Sequence, residues 1–194
     1  SYVGGVEIEC QIFHVNDQRL DLKDCAQPAT PPEVSALKHG YQQLSELIYD
    51  DLEAVVTPIR HALIELGLPL RTVEGELSPG QLEITLDPLG DLEAADAAVL
   101  VRAAVKQIMR RMGLIATFMA KPALPNVYSS GWHLHQSLAQ PDGRNAFTAE
   151  DTFISALGRN FVGGLISHVA ACTAFSNPSI NGYKRINANP LAPR

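Results

Sequence analysis

Residues 130–138 carry an alternating pattern that is typical of a strand with two unlike faces. Bulky apolar side chains alternate there with His133, His135 and Ser137. Because side chains on a strand point to opposite faces with a period of two, the two histidines and the serine are predicted to share one face. Such a histidine pair either packs in a core or binds a metal, and the pair alone leaves both interpretations open.

A second alternating segment, residues 6–13, places glutamates on one face of a predicted strand. Glu7, Glu9 and Gln11 share that face, whereas Cys10 and the apolar side chains share the other. One interpretation is a surface strand with a solvated acidic side, and this segment alone favours it. The alternative is that two carboxylates, about 7 Å apart along the strand, each bind one of two neighbouring divalent cations.

A third acidic segment holds Glu76 and Glu83 on either side of a turn. Pro79 and Gly80 are the turn signal between two short extended runs. The reversal is predicted to bring Glu76 back toward Glu83, whose neighbours along the chain are apolar. A glutamate on an apolar strand needs a cation or an arginine as its partner. The segment therefore indicates an acidic cleft that a cation fills.

Three stretches show apolar residues at the spacing of three or four that predicts a helix. The first runs from about residue 33 to residue 66, where Pro58 is expected to kink or divide it and Gly67 to end it. The second runs from Asp91, as its cap, to about residue 112, and the third from about residue 151 to residue 169. The side chains predicted to line the inner face of the third helix are Phe153, Leu157, Phe161 and Leu165.

Strands interspersed with helices and hairpin turns predict an α+β fold, in which helices cover one face of a largely antiparallel sheet. A further strand is predicted at residues 114–121, and residues 175–185 are predicted to form a loop that ends in a Lys-Arg pair. The 194 residues suffice for one domain with a substantial core, or for part of a larger one.

Composition narrows the classes of partner. The chain has 15 Lys and Arg against 21 Asp and Glu, a net charge of −6, and no basic block, which argues against a nucleic-acid surface. No apolar run approaches the roughly 20 residues of a membrane span, so no membrane partner is expected. Three widely spaced cysteines, Cys10, Cys25 and Cys172, predict buried, reduced thiols in a cytoplasmic protein.

The candidate metal ligands are four glutamates and a histidine, all on predicted strands. They are Glu7, Glu9, Glu76, Glu83 and His133. Carboxylates with few imidazoles and no ligating cysteine pair suit Mg²⁺ or Mn²⁺ better than structural zinc. Such cations commonly bridge nucleotide phosphates in phosphoryl transfer. The sequence has no Walker-type glycine-rich loop, so an ATP-using enzyme of this kind must hold the phosphates through metals and basic side chains.

Five motifs resemble those of glutamine synthetases and occur in the same order. Residues 7–13 are similar to the Glu-Pro-Glu-Phe-Phe-Leu-Phe strand, and residues 76–83 to Glu-x-x-Pro-Gly-Gln-x-Glu. Residues 117–122 resemble Thr-Phe-Met-Pro-Lys-Pro. Residues 131–138 match Gly-x-His-x-His-x-Ser-Leu, and residues 177–185 resemble Asn-Pro-Thr-x-Asn-Ser-Tyr-Lys-Arg. Because these motifs extend over nearly the whole chain, the resemblance is specific.

The resemblance implies two metal sites. Glu9, Glu76 and Glu83 would bind one divalent cation, and Glu7 and His133 would bind a second cation near the phosphates of ATP. It also implies that residues 1–194 are part of a catalytic domain, with an N-terminal domain and later active-site residues outside it. A homo-oligomeric ring is implied for the full-length protein.

The same resemblance implies roles at the nucleotide and the acid substrate. His135 and Ser137 would lie at the nucleotide, whereas Gly131 and Arg185 would contact glutamate, and Arg185 would also stabilise the phosphorylated intermediate. In the family reaction, ATP activates the γ-carboxylate of glutamate as γ-glutamyl phosphate, which ammonia then attacks. Two cations and an arginine are what the charge of a transferring phosphoryl group requires.

Two departures from the family pattern concern the substrates. Leu191 stands where glutamine synthetases have the glutamate that helps close the site and bind ammonium. An ammonium ion needs anionic or carbonyl partners, whereas leucine suits an amine with an apolar body. Tyr128 and Ser129 replace the usual Asn-Gly in the loop that touches glutamate.

The expected function is therefore a glutamine-synthetase-like ligase that joins a glutamate-type γ-carboxylate to an organic amine. Glutamine synthesis from ammonia is the alternative within the same class. A catalytically silent homologue kept as a structural protein is the alternative from another class. A metal-dependent hydrolase would bind metal without depending on ATP.

Overall fold

The computed structural model describes residues 1–43, 45–90 and 92–185. These ranges contain seven strands and four helices. In chain order the elements are β1 (Tyr2–Asp17), β2 (Glu33–Ala36), α1 (Glu46–Glu65), β3 (Leu70–Gly75), β4 (Gln81–Leu86), β5 (Leu89–Gly90), α2 (Glu93–Arg111), β6 (Leu114–Thr117), β7 (Trp132–Leu138), α3 (Ala156–Ser176) and α4 (Ile180–Tyr183).

β1 is the central strand of a single sheet. It pairs antiparallel with β2, β4, β5, β6 and β7, and β3 extends the sheet by pairing antiparallel with β4. Because β1 is 16 residues long, different stretches of it pair with different strands. Residues 2–8 pair with β7, and residues 11–14 pair with β6. The predicted α+β fold with an antiparallel sheet is confirmed.

The hydrophobic core lies between one face of this sheet and the helices α1 and α2. The apolar residues of β1 that were predicted to share a face are all buried, namely Val6, Ile8, Cys10 and Ile12. They belong to one cluster with the inward-facing side chains of α1 and α2. Each fully buried aliphatic side chain contributes about 1.5–3 kcal/mol. The alternation of β1 therefore leaves its glutamates on the face that these helices do not cover.

The first helix begins later than its spacing predicts. Residues 33–36 form β2, which pairs with the end of β1, and α1 begins only at Glu46. Pro58 was expected to kink or divide the helix, and α1 continues through it, so the helix is not divided there. Gly67 follows the helix with φ of +74°, as expected for a stop in the left-handed region. α2 begins at Glu93, and Asp91, its predicted cap, lies outside the described residues.

α3 differs from its prediction in position and in burial. It comprises Ala156–Ser176, and the side chain of Ser155 caps it by accepting a hydrogen bond from the backbone N–H of Gly158. Phe153 precedes the helix and is fully exposed, and Leu157 and Leu165 are exposed as well. The predicted inner face is therefore wrong at these three positions. Helical spacing identifies an apolar side of a helix but does not supply an element that packs against it.

The fourth residue of that predicted face, Phe161, is half-buried, and its ring centroid lies 5.1 Å from that of Phe147.

Within the described ranges, no helix combines the length and the hydropathy that crossing a membrane requires. Two further expectations are corrected. β6 ends at Thr117 rather than at residue 121, and a short helix, α4, interrupts the predicted loop. The prediction of buried thiols holds for Cys10 but is wrong for Cys25 and Cys172, which are exposed.

Gly80 occupies the turn between β3 and β4, where the backbone approaches β1 closely. Its φ is +75°, and it follows Pro79 as the third residue of a type II turn requires. The backbone N–H of Ile12 donates to the Gly80 carbonyl at 2.9 Å, and an added Cβ would clash with the carbonyl oxygen of Ile12.

We expect Gly80→Ala to lower the free energy of unfolding of the full-length protein by about 2–4 kcal/mol, because left-handed strain adds to displacement of backbone. Gly113→Ala is the matched control, since Gly113 has φ of +74° and nothing within 4 Å of an added Cβ. It should cost only about 1 kcal/mol. Denaturant unfolding measures both, and equal losses would contradict the close approach.

Candidate metal centre

Strand register brings the predicted acidic residues onto one face of the sheet. Glu9 on β1 lies opposite Glu83 on β4, which in turn lies opposite Glu74 on β3. On the other edge of β1, Glu7 lies opposite His133 on β7. Directly opposed residues of antiparallel strands present their side chains to the same face. Four strands therefore supply one continuous acidic surface with an imidazole at its edge.

Three side chains come close enough to share a cation. One ligand atom from each of Glu7, Glu83 and His133 lies within 4.8 Å of the other two. His133 Nδ1 lies 2.9 Å from Glu7 Oε2, and His133 Nε2 lies 4.0 Å from Glu9 Oε1. Ligand atoms with these separations can surround an ion whose bonds are about 2.0–2.6 Å long.

The electrostatics of this face fit a divalent cation. Burial, followed by the negative charges of Glu7, Glu76, Glu9 and Glu74, raises the pKa of Glu83 to about 7. Burial is also the main cause that raises the pKa of Glu76. Carboxylates held this close disfavour one another's ionised form, and a bound cation removes that cost. Oxygen donors with one imidazole are the set that Mg²⁺ or Mn²⁺ accepts.

The pKa of Glu7 is shifted in the opposite direction from that of Glu83. Burial alone would raise the pKa of Glu7, but hydrogen bonds with the rings of His133 and His135 outweigh it, so its pKa is lowered. His135 Nε2 lies 2.9 Å from Glu7 Oε1. Both histidines of β7 thus contact the two oxygens of a single carboxylate. This contact explains why the alternation of the two histidines matters for the site.

Neutral donors fix two of the other carboxylates. Glu9 Oε2 accepts hydrogen bonds from Gln81 Nε2 at 2.6 Å and from the backbone N–H of Gly131 at 2.9 Å. Glu76 Oε1 accepts from Gln43 Nε2 at 2.6 Å, and its other oxygen accepts from the next backbone N–H at 2.8 Å. In both cases amides rather than positive charges hold the carboxylate, so its negative charge stays available to a cation.

The residues predicted at the nucleotide lie on β7, whereas Arg185, which is predicted at the acid substrate, follows α4. Ser137 lies two residues beyond His135 on the same face of β7. Arg185 donates to Asn177 Oδ1 at 3.1 Å and lines a separate cavity of about 470 Å³. Among the described residues, no hydrogen bond or ion pair links Arg185 to the glutamates. Leu191 lies outside the described residues.

Sequence reasoning missed two residues of this face. Glu74 stands two positions before Glu76, the same spacing that identified Glu7 and Glu9, and this spacing could have indicated it. Gln81 carries no charge and gave no chemical signal of its own, although it is the glutamine of the Glu-x-x-Pro-Gly-Gln-x-Glu resemblance.

The fold and the site define an α+β domain with a candidate centre for divalent cations on an antiparallel sheet. All of residues 1–194 match the sequence model of a family described as glutamine synthetase, catalytic domain. The chain therefore belongs to the glutamine synthetase catalytic-domain family, as its motifs predicted.

Individual proteins of this family show which members the chain is similar to. A γ-glutamylanilide synthase from Acinetobacter sp is 42% identical over 97% of this chain and 39% of its own length. A glutamate–isopropylamine ligase from Pseudomonas sp is 32% identical over 91% of this chain and 38% of its own length. Among solved structures, apo GmaS without ligand has a TM-score of 0.76 and is 30% identical over 97% of this chain and 42% of that chain. The chain thus spans about two fifths of the length of these proteins.

In the absence of divalent cations, we expect the stability of the full-length protein to fall as the pH rises. The pKa of Glu83 is about 7 in the folded state, above its ordinary value of 4.5. The folded state therefore binds more protons between these values, so the contribution of Glu83 is full below pH 4.5 and is lost as the pH rises through 7. Glu83→Gln should reduce this loss by about 1 kcal/mol, since the carboxyl is partly solvated.

Denaturant unfolding at pH 5 and pH 8 in a chelator measures this slope, and saturating Mn²⁺ should abolish it. Glu150→Gln, at an exposed position, is the control and should retain the parental slope. A Glu83→Gln variant with the parental slope would show that the acidic face does not behave as its geometry requires.

Proposed function

We propose that the full-length protein is an ATP-dependent ligase that forms a γ-glutamyl amide from glutamate, or a similar acid, and an organic amine. The observation that carries the proposal is the convergence of Glu7, Glu83 and His133, with Glu9 beside them, on one face of the sheet. Membership of the glutamine synthetase family and the names of two relatives, which are both γ-glutamyl amide-forming enzymes, support it.

Two divalent cations, Mg²⁺ or Mn²⁺, are proposed to bind this face. Glu9, Glu76 and Glu83 are assigned to one cation, and Glu7 and His133 to the other. Glu83 lies opposite Glu9 and near the ligand atoms of Glu7 and His133, which supports a role for it beside both cations. Bound cations would neutralise the charge of the ATP phosphates during transfer.

His135 and Ser137 are assigned to the nucleotide, and Gly131 and Arg185 to the acid substrate. A γ-carboxylate oxygen of the acid would attack the γ-phosphorus of ATP, and ADP would leave. The amine nitrogen would then attack the acyl carbon, so that phosphate leaves, the amide bond forms and the nitrogen loses a proton. The guanidinium of Arg185 would stabilise the negative charge of the acyl phosphate, which gives this residue its catalytic role.

The amine is proposed to carry an apolar body. Leu191 stands at the position of the ammonium-binding glutamate of glutamine synthetases, and leucine offers apolar contact but no charge. Aniline and isopropylamine, the amines in the names of the two relatives, both have apolar bodies.

The assembly and the location are proposed from the family. We propose that residues 1–194 are part of the catalytic domain, that the full-length protein forms a homo-oligomeric ring, and that it acts in the cytoplasm. The length of the chain, about two fifths of its relatives, supports the first of these statements.

The decisive assay measures ADP release by the full-length protein with glutamate and a panel of amines. We expect aniline or isopropylamine to support a kcat/KM at least about tenfold above that of ammonium, because an apolar contact of this size is worth roughly 1–3 kcal/mol. Turnover with ammonium equal to that with every amine would favour glutamine synthesis instead. Amide cleavage without ATP would indicate the hydrolase.

A second test counts metal sites. Titration of Mn²⁺ into the metal-free full-length protein, followed by calorimetry, is expected to give two sites. Glu7→Gln should weaken one of them by about tenfold or more, because it removes a charged ligand, whereas Glu150→Gln should weaken neither. Complete absence of binding by the parental protein would favour the catalytically silent homologue.

A further inference from the structure

We infer that Gln81 is a positioning residue that holds one oxygen of Glu9 and thereby orients the other toward the metal centre. The inference rests on the proposed function, and it gives the contact between Gln81 and Glu9 a role in metal binding. Gln81 begins β4 and is only 3% exposed. It lies opposite Gln11, two residues before Glu83 on the same face of the sheet.

Every hydrogen-bonding group of the Gln81 side chain has a partner. Nε2 donates to Glu9 Oε2 at 2.6 Å and to the carbonyl oxygen of Ser129 at 3.1 Å. Oε1 accepts from the backbone N–H of Ser78 at 3.1 Å. A buried amide with two donors and an acceptor all engaged is fixed in place, because any rotation would leave a buried polar group unpaired.

The backbone settles which way this amide points. The N–H of Ser78 can only donate, so the atom that faces it must be the amide oxygen. The NH₂ group must then face Glu9 and Ser129, both of which present acceptors. A glutamine is therefore the side chain that this position requires, since a carboxylate there would face Glu9 with no proton between them.

The consequence for Glu9 is an orientation fixed in advance. Its Oε2 is held by Gln81 and by the backbone N–H of Gly131, whereas its Oε1 lies 4.0 Å from His133 Nε2. The oxygen available to a cation is thus the one directed at the imidazole. Partners that orient a metal-binding carboxylate lower the cost of ordering it, and their loss typically weakens metal affinity by 10- to 100-fold.

The same amide also fixes the loop that precedes β7. Its bond to Ser129 lies two residues from Gly131, whose N–H is the second donor to Glu9. Gln11 contacts this loop as well, with Nε2 at 3.4 Å from the carbonyl oxygen of Tyr128 and from Ser130 Oγ. Gln81 thus connects β4, β1 and the loop, whereas Gln11 connects β1 to the loop alone.

Gln11 therefore provides the matched control. It is fully buried, it is the same residue type, and it lies directly opposite Gln81. Its hydrogen bonds go to the loop rather than to a glutamate. Gln81→Met and Gln11→Met each replace a buried amide with an apolar side chain of similar size. Both remove contacts with the loop, but only Gln81→Met also removes the contact with Glu9 and the acceptor of the Ser78 N–H.

The experiment measures Mn²⁺ binding to the full-length protein by calorimetry and the electron paramagnetic resonance spectrum of the bound Mn²⁺. Gln81→Met should raise the Kd of one site by 10- to 100-fold, change its spectrum and leave the other Kd within about twofold. Gln11→Met should change neither site. If Gln81→Met does not fold, Gln81→Asn, which keeps an amide but cannot reach Glu9, should give the same selective shift.

Three results would overturn the inference while the proposed function stands. The first is two unchanged Mn²⁺ affinities in Gln81→Met. The second is equal weakening of both sites, and the third is the same loss in Gln11→Met, either of which would show a general structural effect. A parental protein that binds no Mn²⁺ is a different outcome, because it would overturn the proposed function itself.

Discussion

Mutual repulsion among carboxylates on one side of a sheet is the constraint that the rest of this structure has to satisfy. Glu9, Glu83 and Glu74 lie in a row across three strands, and each directly opposed like-charged pair costs about 0.2–1 kcal/mol. The opposite side offsets this cost, because β1 alone buries the aliphatic side chains of Val6, Ile8 and Ile12 there, and each contributes about 1.5–3 kcal/mol. The same period of two that fills the core thus forces the glutamates together. The strand cannot provide one face without the other.

Local patterns predicted the parts of this arrangement that depend on a single strand. The alternation in residues 6–13 and 130–138 gave the correct faces, since pleating allows no other assignment. Strand register depends on contacts between segments that are distant in the sequence. The alignment of Glu74 with Glu83 and Glu9 was therefore not evident from the sequence. The turn at Pro79 and Gly80 was the exception, because its residue types restrict the backbone to one reversal. It placed the glutamates of β3 and β4 side by side.

The errors arose where long-range contacts decide the outcome. Residues 33–36 were included in the first predicted helix, but pairing with the end of β1 makes them a strand. In α3 the spacing correctly indicates a helix, yet Leu157 and Leu165 remain exposed, since amphipathicity cannot supply a packing partner. Arg185 illustrates the same limit at the site. Its motif was evident, whereas its contact with Asn177 depends on how the segment after α3 folds back.

The turn before β4 joins the fold to the chemistry. Gly80 adopts a left-handed φ that lets its carbonyl accept from Ile12, which sets β4 against β1. One residue later, the side-chain oxygen of Gln81 accepts a hydrogen bond from the backbone N–H of Ser78, the first residue of the same turn. That bond directs the amide at Glu9. A turn that only reversed the chain would need the glycine alone. Because this turn also fixes the orientation of a buried amide, the geometry of the acidic face is determined by backbone as much as by the glutamates themselves.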